Sequence, residues 1–380
     1  MRYRKLGKTG IEVSILGFGM LRLPKTKTKR KTVDVEESIR IIRQAIDNGI
    51  NFIDTAYNYE GKKSETIVGK ALQDGYREKV TLMTKSPSWL IKKPEDFETY
   101  LEEQMKKLQT DVIDIYLFHN LNSDRFEKVF VKHNIIEKMK QAKKEGKIKH
   151  CGISSHENPE NIKKFIDAYD FDVLLVQYNF LDQTNEEVIK YASEKGLGVA
   201  IMGPVGGGRL AMEPTTEMKG LLTEGRDNFA DLAFKLVWSN PNISIALSGM
   251  SSKEMVKENI DFASKDDYTL TEAEAQRTKE VAEIFQKIYD LNCTQCGYCM
   301  PCPSGVNIKL ILKQLMISKN PLHLHPARRK YFGIGISKSL QGKKATACTE
   351  CGECEEKCPQ DIQIIDRLKE AHRILTLKNN

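Results

Sequence analysis

The sequence predicts an α/β protein, a (β/α)8 TIM barrel followed by a small and mostly helical domain. Two observations lead there. Short apolar runs alternate with longer amphipathic stretches through about residue 265, as βα units in series do. Beyond that point the alternation stops, and eight of the nine cysteines fall in two tight clusters. With 380 residues, the chain has the length for a large domain over 1–270 and a small one over 271–380.

Taken in order, residues 2–6 and 11–14 flank Gly7-Lys8-Thr9-Gly10 and read as a hairpin placed to cap the N-terminal mouth of the barrel. The apolar runs that follow are 14–19, 51–55, 80–84, 112–119, 150–154, 173–177, 198–202 and 243–248. Segments of helical period lie between most of them. Residues 38–48 carry Ile39, Ile42, Ala45 and Ile46 on one face, and 97–108 carry Leu101, Met105 and Leu108. A charged helix over 271–289 leads to the first cysteine cluster. The helical period returns over 306–318 with Ile308, Ile311, Leu312 and Leu315.

The first cluster places Cys293, Cys296, Cys299 and Cys302 three apart, with Pro303 after the last. The second places Cys348, Cys351 and Cys354 three apart, then Cys358 before Pro359. Three thiolates at that spacing fit one tight loop around a cubane iron–sulfur cluster, and the distant Cys before Pro ligates the other cluster. The pattern predicts two [4Fe–4S] clusters. One is held by Cys293, Cys296, Cys299 and Cys358, the other by Cys348, Cys351, Cys354 and Cys302. Zinc sites pair C-x-x-C units and have no use for a third Cys at that spacing and a fourth before Pro. Disulfides need an oxidising compartment. Met1-Arg2-Tyr3-Arg4 does not read as a secretory leader, so a cytoplasmic setting is expected. Cys151 is left over, in a short apolar run where a buried, inert thiol is expected. Forty-five residues separate Cys302 from Cys348, which favours an all-helical ferredoxin-like module over a compact β-type one.

Composition narrows the partners. Apolar content of 40% is that of an ordinary globular protein. No run reaches the ~18 apolar residues of a membrane span. The net charge of +7 is dispersed among 52 acidic residues. The densest basic run, residues 25–31, reads as a solvated loop, so neither nucleic acid nor a membrane is expected.

Barrel chemistry gathers where strands end. The predicted ends supply Asp54, Lys85, His119, Ser154, Ser155, Gln177 and Met202-Gly203-Pro204. Asp54, Tyr59, Lys85 and His119 form a candidate acid–base set. A buried Lys near a Tyr favours the phenolate, and an Asp keeps that Lys charged and fixed. A His beside them orients a carbonyl oxygen, to which Tyr59 gives its proton as hydride reaches the carbon. Each residue alone has a plainer role, such as a helix cap for Asp54. Their place on consecutive strands is what joins them.

Several segments follow one another in a telling order: Leu16-Gly-Phe-Gly19-Met20, Asn51-Phe-Ile-Asp54-Thr-Ala-Tyr-Asn-Tyr59, Ser64-Glu65, Thr84-Lys85, Asp114-Ile-Tyr-Leu-Phe-His119, Gly152-Ile-Ser154-Ser155, Gln177-Tyr-Asn179 and Glu258-Asn259. In order and spacing they resemble the aldo/keto reductase superfamily from residue 3 to about 262. With the cysteine clusters, the whole chain resembles the iron–sulfur branch of that superfamily. The resemblance implies the roles above for Asp54, Tyr59, Lys85 and His119. It also implies a nicotinamide pocket at Gly19, Met20, Ser154, Ser155, Gln177, Met202, Gly203 and Pro204, with Glu258 and Asn259 near an adenine.

The chain departs from the family in three places. Met202-Gly203-Pro204 stands where an aromatic usually stacks on the nicotinamide, and Ser155 replaces the usual Asn. Gly249, Ser251, Ser252 and Lys253 offer a weak grip on a 2′-phosphate, and Met255 sits where a Gln or Arg is common. A phosphate cradle is expected at Gly206, Gly207, Gly208 and Arg209 together with residues 248–252. The barrel cofactor is read as NAD(P)(H) or FMN. A nicotinamide gives two electrons at once and a cluster takes one, whereas a flavin does both. The expected function is an oxidoreductase acting on a small carbonyl-like substrate, with a ferredoxin or other redox protein as a further partner. The alternatives are an FMN-containing iron–sulfur reductase and an electron-transfer subunit with a non-catalytic barrel.

Overall fold

The computed structural model describes residues 1–26, 32–265, 267–320, 323–337 and 340–377. Most of the basic run at 25–31 therefore lies outside the described residues. The chain divides into two compact units. The first comprises Met1–Thr26, Val33–Val205 and Ala230–Glu272, and the second joins Gly206–Phe229 to the chain from Ala273 onward. The last segment of the first unit ends at Glu272. The segment Gly206–Phe229, however, leaves the barrel it was assigned to and packs with the C-terminal residues.

In the first unit, β1 (Tyr3–Lys5) pairs antiparallel with β2 (Glu12–Ser14), Tyr3 opposite Ser14. Eight parallel strands then close a barrel. They are β3 (Leu16–Gly19), β4 (Phe52–Asp54), β5 (Thr81–Ser86), β6 (Ile113–Leu121), β7 (Ile148–Ser155), β8 (Val173–Gln177), β9 (Gly198–Met202) and β10 (Ile245–Ser248). Each pairs with its neighbours in sequence, and β10 closes on β3 with Ala246 opposite Leu16. Such strands are covered on both faces, which is why they read as apolar runs rather than as alternating patterns.

The barrel interior is filled by Phe52, Met83, Ile115, Leu117, Val173, Leu175, Ala200, Ile245 and Leu247. Gly17 is closely packed there: a Cβ would lie 2.7 Å from the end of the Leu247 side chain and 2.8 Å from that of Ile245, and both would have to shift. The hairpin plugs the N-terminal end: Leu6 and Val13 belong to the same core. Its turn docks on the start of β9, where Lys8 N–H donates to Gly196 O at 2.7 Å. Gly7 adopts φ 52°, and a Cβ on it would meet Gly198 N at 2.2 Å.

Between β3 and β4 runs α1 (Val35–Asp47). Asp34 caps it, its carboxylate accepting from Glu37 N at 3.1 Å. It buries Ser38, Ile41, Ile42, Ala45 and Ile46. The buried stripe is thus turned relative to the expected one, with Ile41 in place of Ile39. The helix after β5, α2 (Asp96–Leu108), buries Phe97, Leu101, Gln104 and Leu108. No helix among the described residues is long and apolar enough to cross a membrane.

The second unit has its own core. Helix α3 (Ile308–Ser318) buries Ile308, Ile311, Leu312 and Leu315, and packs against α4 (Ile364–Thr376), which buries Ile364, Leu368, Ala371 and Leu375. Asn307 caps α3 by accepting from Leu310 N at 3.2 Å. Lys319 bridges Asp290 at 3.2 Å and Glu370 at 2.7 Å, and Arg367 reaches both of those carboxylates at 2.7 Å. This network holds the approach to the first cysteine loop against the two helices.

Candidate active site and metal centres

The ends of β4, β5 and β6 bring Asp54, Lys85 and His119 to one mouth of the barrel, and the loop after β4 brings Tyr59. All four side chains are buried. Lys85 Nζ donates to Asp54 Oδ1, to Thr55 O at 2.7 Å and to Tyr59 OH at 3.3 Å. The Tyr59 and His119 rings stand edge to face, 6.0 Å apart at 80°. Trp89 lies against the His119 ring at 5.3 Å. Burial pushes Lys85 down and Asp54 up, and their mutual attraction opposes both shifts. Burial also holds the His119 imidazole well below its ordinary 6.5, and the Lys85 charge adds to this. The set is an ammonium fixed beneath a phenol, with a neutral imidazole beside it.

Behind Lys85 lies a buried polar network. Gln104 Nε2 donates to Lys85 O at 3.1 Å and to Glu65 Oε1, and Gln104 Oε1 accepts from Tyr116 OH at 2.7 Å. Thr84 Oγ1 donates to Glu65 Oε1 at 2.8 Å. This fixes the strand end that carries Lys85. A second chain runs from Thr55 Oγ1 to Ser64 Oγ at 2.9 Å and on to Met20 O at 3.0 Å.

The residues expected around a dinucleotide are spread over the ends of β3, β7, β8, β9 and β10. Ser154 Oγ accepts from Asn120 N at 2.9 Å. Ser155 Oγ donates to Leu121 O at 2.6 Å and accepts from Glu157 N at 3.1 Å, so it ties β7 to β6. Gln177 Nε2 donates to Asp182 Oδ2 at 2.6 Å. Gly203 has φ 66°, and its carbonyl accepts from Asn179 Nδ2 at 2.9 Å. Asn259 Nδ2 donates to Ser248 Oγ at 2.9 Å, and Ser252 caps the helix Lys253–Phe262 through Met255 N at 3.3 Å. Arg22 packs on Gly249, where an added Cβ would meet its side chain at 3.4 Å.

The phosphate cradle expected at Gly206–Arg209 falls in the segment Gly206–Phe229. It belongs to the second unit, not to the barrel. A Cβ on Gly207 would lie 2.7 Å from Thr294 O, and Arg209 Nη1 donates to Asn292 Oδ1 at 3.1 Å. At Gly207 the missing side chain allows close approach of backbone to backbone.

One recess of the second unit is lined by Cys293, Cys296, Cys299 and Cys358. Another is lined by Cys302, Cys348, Cys351 and Cys354, with Cys299 at its side. All nine cysteines are free of disulfides, and Cys151 is buried apart from the rest. Among the described residues no three candidate ligands converge on a single-ion site. The thiols instead ring two hollows, the arrangement a cluster of several irons needs. Burial, followed by the neighbouring thiols, pushes Cys299 up to about 12, and burial with Glu355 pushes Cys354 up to about 11. Gathering four thiolates this closely calls for cationic metal, which reverses those shifts. The residues present fit the group.

Comparison with known proteins agrees with both halves. The aldo/keto reductase family profile matches residues 15–283, most of the chain. The chain belongs to the aldo/keto reductase family. A profile of the 4Fe-4S dicluster domain matches residues 292–363 of this reductase. An uncharacterized oxidoreductase, YqkF of Bacillus subtilis, is 27% identical over 75% of the chain and 99% of its own length. Aldo-keto reductase YhdN of the same organism is 32% identical over 57% of the chain and 66% of its own length. Among solved structures, aldo-keto reductase AKR11C1 from Bacillus halodurans in its holo form is similar, with a TM-score of 0.63. It is 28% identical and covers 74% of this chain and 96% of its own.

Sequence reasoning missed Gln104 and Tyr116 in the reductase. Gln104 sits three residues after Leu101 and four before Leu108, a polar side chain on the buried stripe of α2. That mismatch was the available signal, since a buried amide must find partners. Arg22 was missed as well, because nothing local marks an arginine in the loop after β3.

Proposed function

We propose that this reductase reduces a small carbonyl-like substrate in the barrel, with Tyr59 as proton donor, and exchanges electrons singly through two clusters in the second unit. The observation that carries the reading is the position of Lys85: a buried ammonium in contact with Asp54 and 3.3 Å from Tyr59 OH. As Tyr59 gives its proton to the substrate oxygen, the Lys85 charge stabilises the phenolate left behind. Asp54 and Thr55 O hold that ammonium in place. His119 is neutral, so its imidazole directs a hydrogen bond at the oxygen without competing for the proton. Trp89, packed on His119, supplies an apolar wall that helps exclude water.

A bound nicotinamide would supply the hydride, and bound iron–sulfur clusters would carry single electrons. Ser154, Gln177 and Gly203 are the residues that would border the nicotinamide. Ser251, Ser252 and Lys253, at the start of the ten-residue helix Lys253–Phe262, would border a phosphate. Cys293, Cys296, Cys299 and Cys358 would hold one cluster, and Cys302, Cys348, Cys351 and Cys354 the other. The family and the acid–base set favour a nicotinamide over FMN. An absorbance spectrum of anaerobically purified protein, with extracted cofactor, tests that choice: flavin bands beside the broad cluster band would favour FMN. A ferredoxin or similar redox protein is the partner this reading calls for.

The Tyr59→Phe variant tests the chemistry. It removes one hydroxyl from a side chain already packed, so the fold should hold. Turnover should fall about 10²- to 10⁴-fold. Undiminished turnover would mean that Tyr59 is not the acid and would favour a barrel that only serves electron transfer.

A further inference from the structure

Three of the four acid–base residues stand on strands, and Tyr59 does not. Asp54, Lys85 and His119 belong to β4, β5 and β6, whereas Tyr59 lies in the loop between β4 and the helix Ser64–Ala71. A site residue on a loop is held less precisely than one on a strand. The chain next to Tyr59 is also unusual. Glu60, Gly61 and Lys62 all adopt left-handed backbone, at φ 49°, 63° and 70°. A glutamate gains nothing from that conformation by itself. Its Cβ comes close to a carbonyl oxygen, a cost that glycine does not meet.

The Glu60 side chain gives the reason. It folds back on the loop after β3 and is only 10% exposed. Its Oε1 accepts from Leu23 N at 3.1 Å, and its Oε2 pairs with Lys25 Nζ. That loop is itself fixed at both ends. Met20 N donates to Asp54 O at 2.8 Å, and Met20 O accepts from Ser64 Oγ at 3.0 Å. Pro24 O accepts from Asp34 N at 2.9 Å, at the cap of α1. Met20 and Leu23 are buried. The loop after β3 is therefore an abutment, and the Glu60 carboxylate braces the peptide beside Tyr59 against it. Of its two contacts, the one to Leu23 N carries more, because Lys25 is 41% exposed and an ion pair open to water is weak.

We propose that Glu60 is a positioning residue for the reduction: its carboxylate clamps the loop of Tyr59 to the loop after β3 and so keeps the Tyr59 hydroxyl 3.3 Å from Lys85 Nζ. The left-handed backbone at Glu60 is the strain that this clamp sustains. Glu60 acts through Tyr59.

The inference rests on Tyr59 as the acid, and the test keeps the two apart. Full-length protein, isotope-labelled on its tyrosine rings, is compared by NMR with Tyr59→Phe, and the missing signal is that of Tyr59. In Glu60→Gly this signal should move, while those of tyrosines remote from the loop stay. Glu60→Gln still accepts from Leu23 N and should restore the wild-type position. An unmoved Tyr59 signal in Glu60→Gly would overturn the proposal. Turnover is read with NADPH and nitrobenzaldehyde. Undiminished turnover in Tyr59→Phe sinks the acid assignment itself, whereas the Glu60 variants judge the clamp. Glu60→Gly should lower kcat about 10- to 100-fold and leave KM within about twofold, because a misplaced acid is felt only in the transition state. Its urea midpoint should stay close to wild type, since glycine relieves the left-handed backbone. Glu60→Gln and Lys25→Met should each keep most of the wild-type kcat. Added to Tyr59→Phe, Glu60→Gly should cost nothing further. Loss of stability with kcat retained leaves Glu60 a purely structural role, and an additive loss in the double variant means that it acts elsewhere; either refutes the assignment. If Glu60→Gly fails to fold, Glu60→Asn is read in the same way, since asparagine tolerates left-handed backbone and is one methylene too short to reach Leu23 N.

Discussion

At the scale of single residues, the barrel mouth depends on burying charge without stranding it. Lys85 is fully enclosed, yet its ammonium meets a carboxylate, a carbonyl and a phenol. His119 is handled in the opposite way: burial and the nearby Lys85 keep it neutral. That has a consequence for stability. In the unfolded chain His119 titrates near 6.5, and in the folded chain well below. Between those values the unfolded chain binds more protons, so stability falls as the pH drops below about 6.5, by up to ~1.4 kcal/mol per pH unit. His156, pushed down to about 4 by burial, acts in the same direction. Urea unfolding between pH 8 and pH 5 should therefore show a steeper loss in the wild type than in His119→Gln. Parallel curves for the two proteins would rule out a buried neutral His119.

At the scale of elements, the N-terminal hairpin is a stopper as well as a pair of strands. Leu6 points into the same core as Phe52, Leu175 and Ile245. Gly198 accommodates it, because a Cβ there would lie 2.6 Å from Leu6. Leu6→Ala opens a cavity at the end of the barrel and should cost about 2–5 kcal/mol, read from the urea midpoint at constant m-value. The proposed acid–base set lies at the opposite ends of the strands, so turnover at a temperature where the variant is folded should stay close to wild type. A large fall in turnover with no loss of stability would assign the hairpin a role beyond packing. Helix α2 shows a second use of an element. Its apolar stripe packs on the barrel, while Gln104 within that stripe reaches the backbone of Lys85.

At the scale of the whole molecule, the two units have separate cores, and the second collects its cysteines from two loops held by α3 and α4. Metal that binds only the folded form adds its binding energy to folding. Anaerobic calorimetry should show two transitions. Iron removal by a chelator should lower the transition of the cysteine-bearing unit and leave that of the barrel. An equal fall of both transitions would contradict independent cores. Much of this organisation was legible in the residues. The eight strands appear within a few residues of where the apolar runs lie, because strands buried on both faces leave a local signature. That Asp54, Lys85 and His119 would gather at one mouth was legible because barrel strands end together, and the grouping of the cysteines because of their fixed spacing. Gln104 and Tyr116 gave no such signal, since their meaning lies in contacts across elements. Gly206–Arg209 shows a related limit of local form: a glycine turn before an arginine looks the same in sequence whether it meets a phosphate or another stretch of backbone, and here Gly207 packs on Thr294.

What repeats locally was written in the chain itself: strand, helix, the spacing of thiols and the residue types at strand ends. Periodicity and spacing are short-range properties, written in neighbouring residues. Which charges meet depended on how distant segments pack. Packing set Lys85 against Asp54 and Tyr59, placed Gln104 behind Lys85, and carried Arg209 to the loop of Cys293, eighty-four positions along the chain. Those pairings depend on burial, which removes water and makes an unmatched charge costly, and burial is fixed only when distant segments pack.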